Sequence, residues 1–207
     1  MDGNGLNAWI STGSKMTQKD EMADALRLLL KAFGDLQIEY RIGGSVASST
    51  YGRARSTLDV DLVANLEWEH FEPLCSVLGA EYYMDAGAIR EAIHRQSSFN
   101  LIHLETMIKV DVFLLGPGPY DRESFRRGSR ESIGDLVDVA FCTAEDMILR
   151  KLEWFRAGGG ISDRQWADVL GLLQVQAESL DQDYLTRWAR ELGLADLLDR
   201  ALEEARK

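Results

Sequence analysis

The chain has 207 residues, 45% of them hydrophobic and 28% charged, which is the balance of an ordinary globular protein. That length allows one large domain, or a medium domain with a helical appendage. Thirty-four acidic against 23 basic residues give a net charge of −11, so the global basic footprint of a nucleic-acid binder is missing. No apolar run approaches the roughly 20 residues that span a bilayer, which excludes a membrane partner of that kind.

Residues 1–16 are rich in Gly, Asn and Ser and lack an apolar h-region. They read as a loosely ordered arm and not as a secretory signal, and a cytoplasmic location is expected. The first helix runs from about Thr17 to Phe33: Thr17 with Asp20 resembles a capping box, and Met22, Leu26, Leu29 and Phe33 recur at helical spacing. A strand over 37–42 alternates Ile38, Tyr40 and Ile42. Gly43-Gly44-Ser45 breaks it, and Val46 to Tyr51 suits a brief helix. A second strand is expected from Leu58 to Ala64, then a helix from Glu67 to Leu78.

Short strands follow at 81–84, 98–103 and 107–115, the last two close enough to pair as a hairpin. Gly116-Pro117-Gly118-Pro119 ends the region. Arg122, Arg126, Arg127 and Arg130 have spacings that suit one helical side, most simply a solvated one. Beyond Ala144 the pattern is helical throughout: a helix capped by Thr143, another over 162–176, and a final pair over 183–206. The fold class expected is α/β (α+β), a mixed sheet with flanking helices and a helical C-terminal region. The divisions are an arm over 1–16, an α/β domain over 17–120 and a helical domain over 121–207. Cys75 and Cys142 read as free thiols in a reducing compartment, and His70, His94 and His103 lack metal-ligand spacing. Trp154, Phe155, Trp166 and Trp188 fall beside aliphatic residues and read first as core.

The chemistry concentrates in Ser56-Thr57-Leu58-Asp59-Val60-Asp61-Leu62-Val63. Residues two apart on a strand share a face, so Asp59 and Asp61 point one way while Leu58, Val60 and Leu62 point the other. At about 5 Å and an effective dielectric near 20, two such carboxylates repel by on the order of 3 kcal/mol. Asp-x-Asp alone is common on exposed sheet edges. A second apolar strand, Lys109-Val110-Asp111-Val112-Phe113-Leu114, carries one more carboxylate, and beside the first it would bring Asp111 to the same face. Three convergent carboxylates suit a hard divalent cation, magnesium with phosphate oxygens above all. Gly43-Gly44-Ser45 lies between a strand and a helix, where backbone amides approach a phosphate closely and Ser45 caps the helix or binds a phosphate oxygen. Neither a P-loop nor a Gly-x-Gly-x-x-Gly motif is present.

Gly43-Gly44-Ser45, then Asp59-x-Asp61 fourteen residues after Ser45, then Asp111 in a later strand, together resemble the nucleotidyltransferase superfamily typified by polymerase beta. The resemblance covers about Glu39 to Leu115. It implies that Asp59 and Asp61 hold the magnesium that carries a nucleoside triphosphate, and that Asp111 holds a second ion and helps deprotonate an acceptor hydroxyl. It also implies that Gly43, Gly44 and Ser45 fix phosphates, with Lys151 and Arg55 offsetting charge on the leaving pyrophosphate. Asp146-x4-Lys151 and Arg164-x3-Asp168 further resemble the toxin component of type IV abortive-infection toxin–antitoxin systems. That implies Lys151 as a phosphate ligand supported by Asp146, Arg164 and Asp168, with a cognate antitoxin as partner. The blander reading of these pairs is surface ion pairing on helices. A tRNA end, a protein hydroxyl and a small molecule all suit the acceptor. The rival class is a catalytically inactive nucleotide-binding or complex-forming protein on the same fold.

Overall fold

The computed structural model describes residues 17–51 and 59–206. The expected N-terminal arm, and Arg53 and Arg55 with the rest of 52–58, lie outside the described residues. The chain opens with α1 (Gln18–Asp35), whose capping box is reciprocal: Thr17 Oγ1 accepts from the Asp20 amide at 3.3 Å, and the Thr17 amide donates to Asp20 Oδ2 at 2.9 Å. Met22, Leu26, Leu29 and Phe33 are buried, as the helical spacing requires. Next come β1 (Tyr40–Ile42), α2 (Gly44–Tyr51) and β2 (Asp59–Ala64). A short 3-10 turn at Trp68–His70 leads into α3 (Phe71–Leu78), then β3 (Tyr82–Met84), α4 (Ala86–Arg95), β4 (Ser98–His103) and β5 (Lys109–Leu114). The second half holds α5 (Pro119–Arg127), β6 (Ser129–Ile133), β7 (Leu136–Phe141), α6 (Ala144–Ala157), α7 (Asp163–Gln176), α8 (Gln182–Glu191) and α9 (Ala195–Ala205).

The strands form one mixed seven-stranded sheet in the order β3-β4-β5-β2-β1-β7-β6. β4 and β5 pair antiparallel as the expected hairpin, whereas β2 runs parallel to β5 and β1 parallel to β7. One face of the central strands is dry: Val60, Leu62, Val110 and Val112 are all fully buried. α1 packs on α3, and α3 on α4, which covers β4. Against β2 on the other side stands α2, backed by α6 and α7. The apolar core runs without interruption from α1 through the sheet to Leu172, Leu185 and Leu198 in the last three helices.

Two expectations are corrected. Residues 129–141, assigned from sequence to the helical C-terminal region, form the hairpin β6–β7, which joins the sheet beside β1. Arg130 therefore lies on a strand, apart from Arg122, Arg126 and Arg127 on α5, and bonds the Asp138 carbonyl at 2.9 Å. The four arginines do not share a helical side. Helix α4 was also missed, although Asp85 caps it by accepting from the Gly87 and Ala88 amides. Both cysteines are free thiols. His70 accepts from the Glu67 amide and His103 bonds Thr106 at 2.9 Å, so each ties down local backbone. Among the described residues no helix is long and apolar enough to cross a membrane.

Candidate active site

The Gly-Gly-Ser turn sits where β1 hands over to α2. The Gly43 amide donates to the Asp61 carbonyl at 2.8 Å, which fastens the turn to β2. Gly44 has φ +56°, and an added Cβ there would overlap the Asp61 carboxylate. Only glycine meets both demands. A Cβ at Gly43, by contrast, would make ordinary contacts with Cys142 and Met147. The Asp61 carboxylate accepts from the Ser45 amide, so it rests on the N-terminal turn of α2. Ser48 Oγ donates to the Gly44 carbonyl at 2.8 Å and steadies that turn.

Asp59, Asp61 and Val63 share the face of β2 opposite the dry one, as the alternation predicts. The parallel register sets Asp61 directly beside Asp111 and Asp59 beside Lys109. Burial pushes the Asp61 carboxyl above the ordinary carboxylate range, and the charge on Asp111 pushes it further, with a smaller contribution from Asp59. The Ser45 amide and the charge on Lys151 act in the opposite sense. Lys109 complicates the expected triad. Its ammonium donates to Asp111 Oδ2 at 2.8 Å and lies 3.9 Å from Asp59 Oδ1. Among the described residues no group of three or more His, Cys, Asp or Glu side chains is arranged to hold a metal ion.

Helix α6 supplies the other wall. Lys151 is buried, and its ammonium donates to Asp168 Oδ2 at 2.8 Å and to Gln165 at 3.4 Å. It faces the same cleft as Asp61. Asp146 also lines the cleft, but it is held by Tyr184 at 2.6 Å and Thr143 at 2.8 Å. Burial raises its pKa while these hydroxyl donors oppose the shift. Arg164 is exposed on α7 and does not line the cleft.

Between the sheet and α6 lies a cleft whose polar lining includes Gly43, Gly44, Asp61 and Lys151. Its remaining walls are mostly apolar: Val63, Phe113, Leu115, Phe125, Met147 and Trp154, joined by Arg41 and Arg150. Trp154, grouped from sequence with core aromatics, is 42% exposed and its ring centroid lies 6.2 Å from that of Phe113. Phe155, Trp166 and Trp188 are buried as expected. Arg41 went unnoticed in the sequence because β1 is only three residues long, yet its register with Val63 puts it on the cleft face. Lys109 was legible only as part of an apolar strand; its position two before Asp111 is the signal that finds it.

No family model matches the sequence, and no curated protein matches it. Solved structures do. An antigenic nucleotidyltransferase-like protein from Paracoccidioides brasiliensis aligns over 89% of this chain and 93% of its own, with a TM-score of 0.52 at 16% identity. ANT(2'')-Ia in complex with adenylyl-2''-tobramycin aligns over 82% of this chain and 97% of its own, with a TM-score of 0.55 at 12% identity. The chain has a nucleotidyltransferase-like fold. On that fold Gly43, Gly44 and Asp61 line the cleft from the sheet side and Lys151 from α6, whereas Asp59 and Asp111 are not among its lining residues.

The donor chemistry suits a divalent cation on this nucleotidyltransferase-like fold. Asp59, Asp61 and Asp111 offer hard carboxylate oxygens on one sheet face, and the Asp61 carboxyl is raised first by its burial and second by the charge on Asp111. The contrary feature is Lys109, which claims Asp111.

Proposed function

We propose that this protein is a magnesium-dependent nucleotidyltransferase that moves a nucleoside monophosphate from a nucleoside triphosphate to an acceptor hydroxyl. The observation that carries the reading is the convergence at Gly44: a glycine-only turn and the first turn of α2 lie against Asp61, and Asp61 stands beside Asp111. In that turn the Gly43 amide is taken by the Asp61 carbonyl and the Ser45 amide by its carboxylate, so the Gly44 amide and the Ser45 hydroxyl are the groups to hold phosphate oxygens, with the helix field favouring the anion. Lys151, held by Asp168 at 2.8 Å, contributes positive charge on the side of α6. Arg55 keeps its proposed role on the pyrophosphate. Phe113 and Trp154 offer flat apolar surface for a nucleobase.

Asp59 and Asp61, joined by Asp111, are the side chains to hold magnesium. Bound there, magnesium supplies neutralising charge to the triphosphate and polarises the reacting phosphate. Asp111 takes the acceptor's hydroxyl proton on a carboxylate oxygen. The acceptor oxygen forms a bond to the α-phosphorus, the bond from that phosphorus to the bridging oxygen breaks, and pyrophosphate leaves with its electron pair.

The test is to incubate the purified protein with magnesium and each α-labelled nucleoside triphosphate. Separate arms contain tRNA, cell extract or an aminoglycoside, and Asp111→Ala serves as the control. Label transferred by the wild type and reduced on the order of 10³-fold or more in Asp111→Ala supports the reading. The labelled species then names the acceptor class, tRNA being the first one expected if the protein is a toxin-type enzyme. Magnesium-dependent nucleotide binding with no transfer in any arm would favour the rival, a nucleotide-binding protein without turnover.

A further inference from the structure

The two polar seats of the candidate site are both occupied by the protein's own groups. Asp61 rests on the Ser45 amide at the start of α2, where an anion would sit. Lys109 rests on Asp111 and reaches toward Asp59, where a cation would sit. The second arrangement is built into the chain. Lys109 and Asp111 are two apart on β5, so their side chains emerge on one face, and the parallel register places Lys109 beside Asp59 and Asp111 beside Asp61. One ammonium is thus set among three carboxylates by backbone geometry.

We propose that Lys109 is a resident counter-ion that competes with divalent metal for Asp111, and so sets how strongly the carboxylate face takes such a cation. The inference rests on the reading of Asp59, Asp61 and Asp111 as cation carriers. The charge count gives its logic. Three carboxylates and one ammonium leave −2, which a single divalent ion cancels; without the ammonium the face carries −3. An ammonium 2.8 Å from Asp111 Oδ2 both occupies that oxygen and repels a second cation brought to the same carboxylate. Lys109 is 40% exposed at its side chain, so it has room to swing into solvent when displaced, and its replacement leaves the core untouched. It is a positioning residue in this account: it holds Asp111 in place before metal arrives and gives it up afterwards.

The experiment is a calorimetric titration of the full chain with manganese(II) alone, without nucleotide, checked by the electron paramagnetic resonance signal of free manganese. Wild type, Lys109→Gln, Lys109→Arg, Asp111→Asn and the Lys109→Gln/Asp111→Asn double variant are compared. Lys109→Gln is expected to bind manganese at least tenfold more tightly than wild type, and Lys109→Arg to stay within about threefold of it, because the charge remains. In the Asp111→Asn background the gain from Lys109→Gln should shrink to about threefold or less. Unchanged affinity in Lys109→Gln, with the wild type still binding, overturns the inference and leaves the proposed function standing. A gain undiminished in the Asp111→Asn background also overturns it, since the lysine would then act only through its general field. Absence of manganese binding in both wild type and Lys109→Gln would overturn the inference together with the metal-dependent reading of the site.

Discussion

The sheet side (β2 and β5) and the helical side (α6) of the candidate site treat charge in opposite ways. On the helical wall the buried charged residues Glu145, Asp146 and Lys151 all lie on α6, and each meets a partner. Glu145 accepts from the Asp181 amide at 2.9 Å, Asp146 from Tyr184 at 2.6 Å and Thr143 at 2.8 Å, and Lys151 donates to Asp168 at 2.8 Å. On the sheet wall three carboxylates face one resident ammonium, and Asp61 is held above the ordinary carboxylate range by its burial and by Asp111. Satisfied charges join helices to one another. Uncompensated charges cost stability, and on the proposed reading a bound cation would offset that cost on the sheet wall.

Gly44→Ala attacks that difference where the walls are joined to the turn. The residue has φ +56° and no space for a Cβ beside Asp61. We expect a loss of about 3 kcal/mol or more in denaturant unfolding, together with loss of nucleotide binding. A variant that unfolds at the wild-type denaturant concentration would show that Asp61 moves aside freely.

Asp146→Ala tests the helical wall. It strands the Tyr184 and Thr143 hydroxyls, and a cost of about 2–3 kcal/mol follows. For a chain of this size that corresponds to a melting point lower by about 4–12 °C. The comparison sharpens if transfer per folded molecule survives at low temperature, and breaks if activity is lost without a fall in melting point.

Asp61→Asn tests the sheet wall with the smallest effect and the opposite sign. A carboxyl whose folded pKa is raised costs stability at pH above that pKa. The cost fades as pH falls from the folded pKa toward the unfolded value of 3.8. Asparagine keeps the acceptor for the Ser45 amide and removes the charge. At neutral pH the variant should therefore melt slightly above wild type, while losing transfer. The gap should close as pH is lowered through the folded pKa. A variant that melts below wild type at neutral pH would mean that the charged carboxylate holds the turn together.

Local patterns in the chain determined much of this. Apolar residues at helical spacing placed α1, α3 and α6 through α9, because a helix with one apolar stripe has one way to bury it. Alternation along β2 put Asp59 and Asp61 on a common face, and the paired glycines marked the turn at Gly44, since both follow from backbone geometry within a few residues. Only the tertiary structure decided which strands became neighbours. The parallel pairing of β2 with β5 sets Asp111 beside Asp61 and brings Lys109 onto the triad, a long-range choice that no local period encodes. The same holds for β6, whose Ser129-Arg130-Glu131-Ser132-Ile133 has almost no apolar alternation and becomes a strand by pairing with β7 at the sheet edge. Lys151 and Asp168 meet because α6 packs on α7, and the partner of a buried charge is set by that packing and not by its neighbours in sequence.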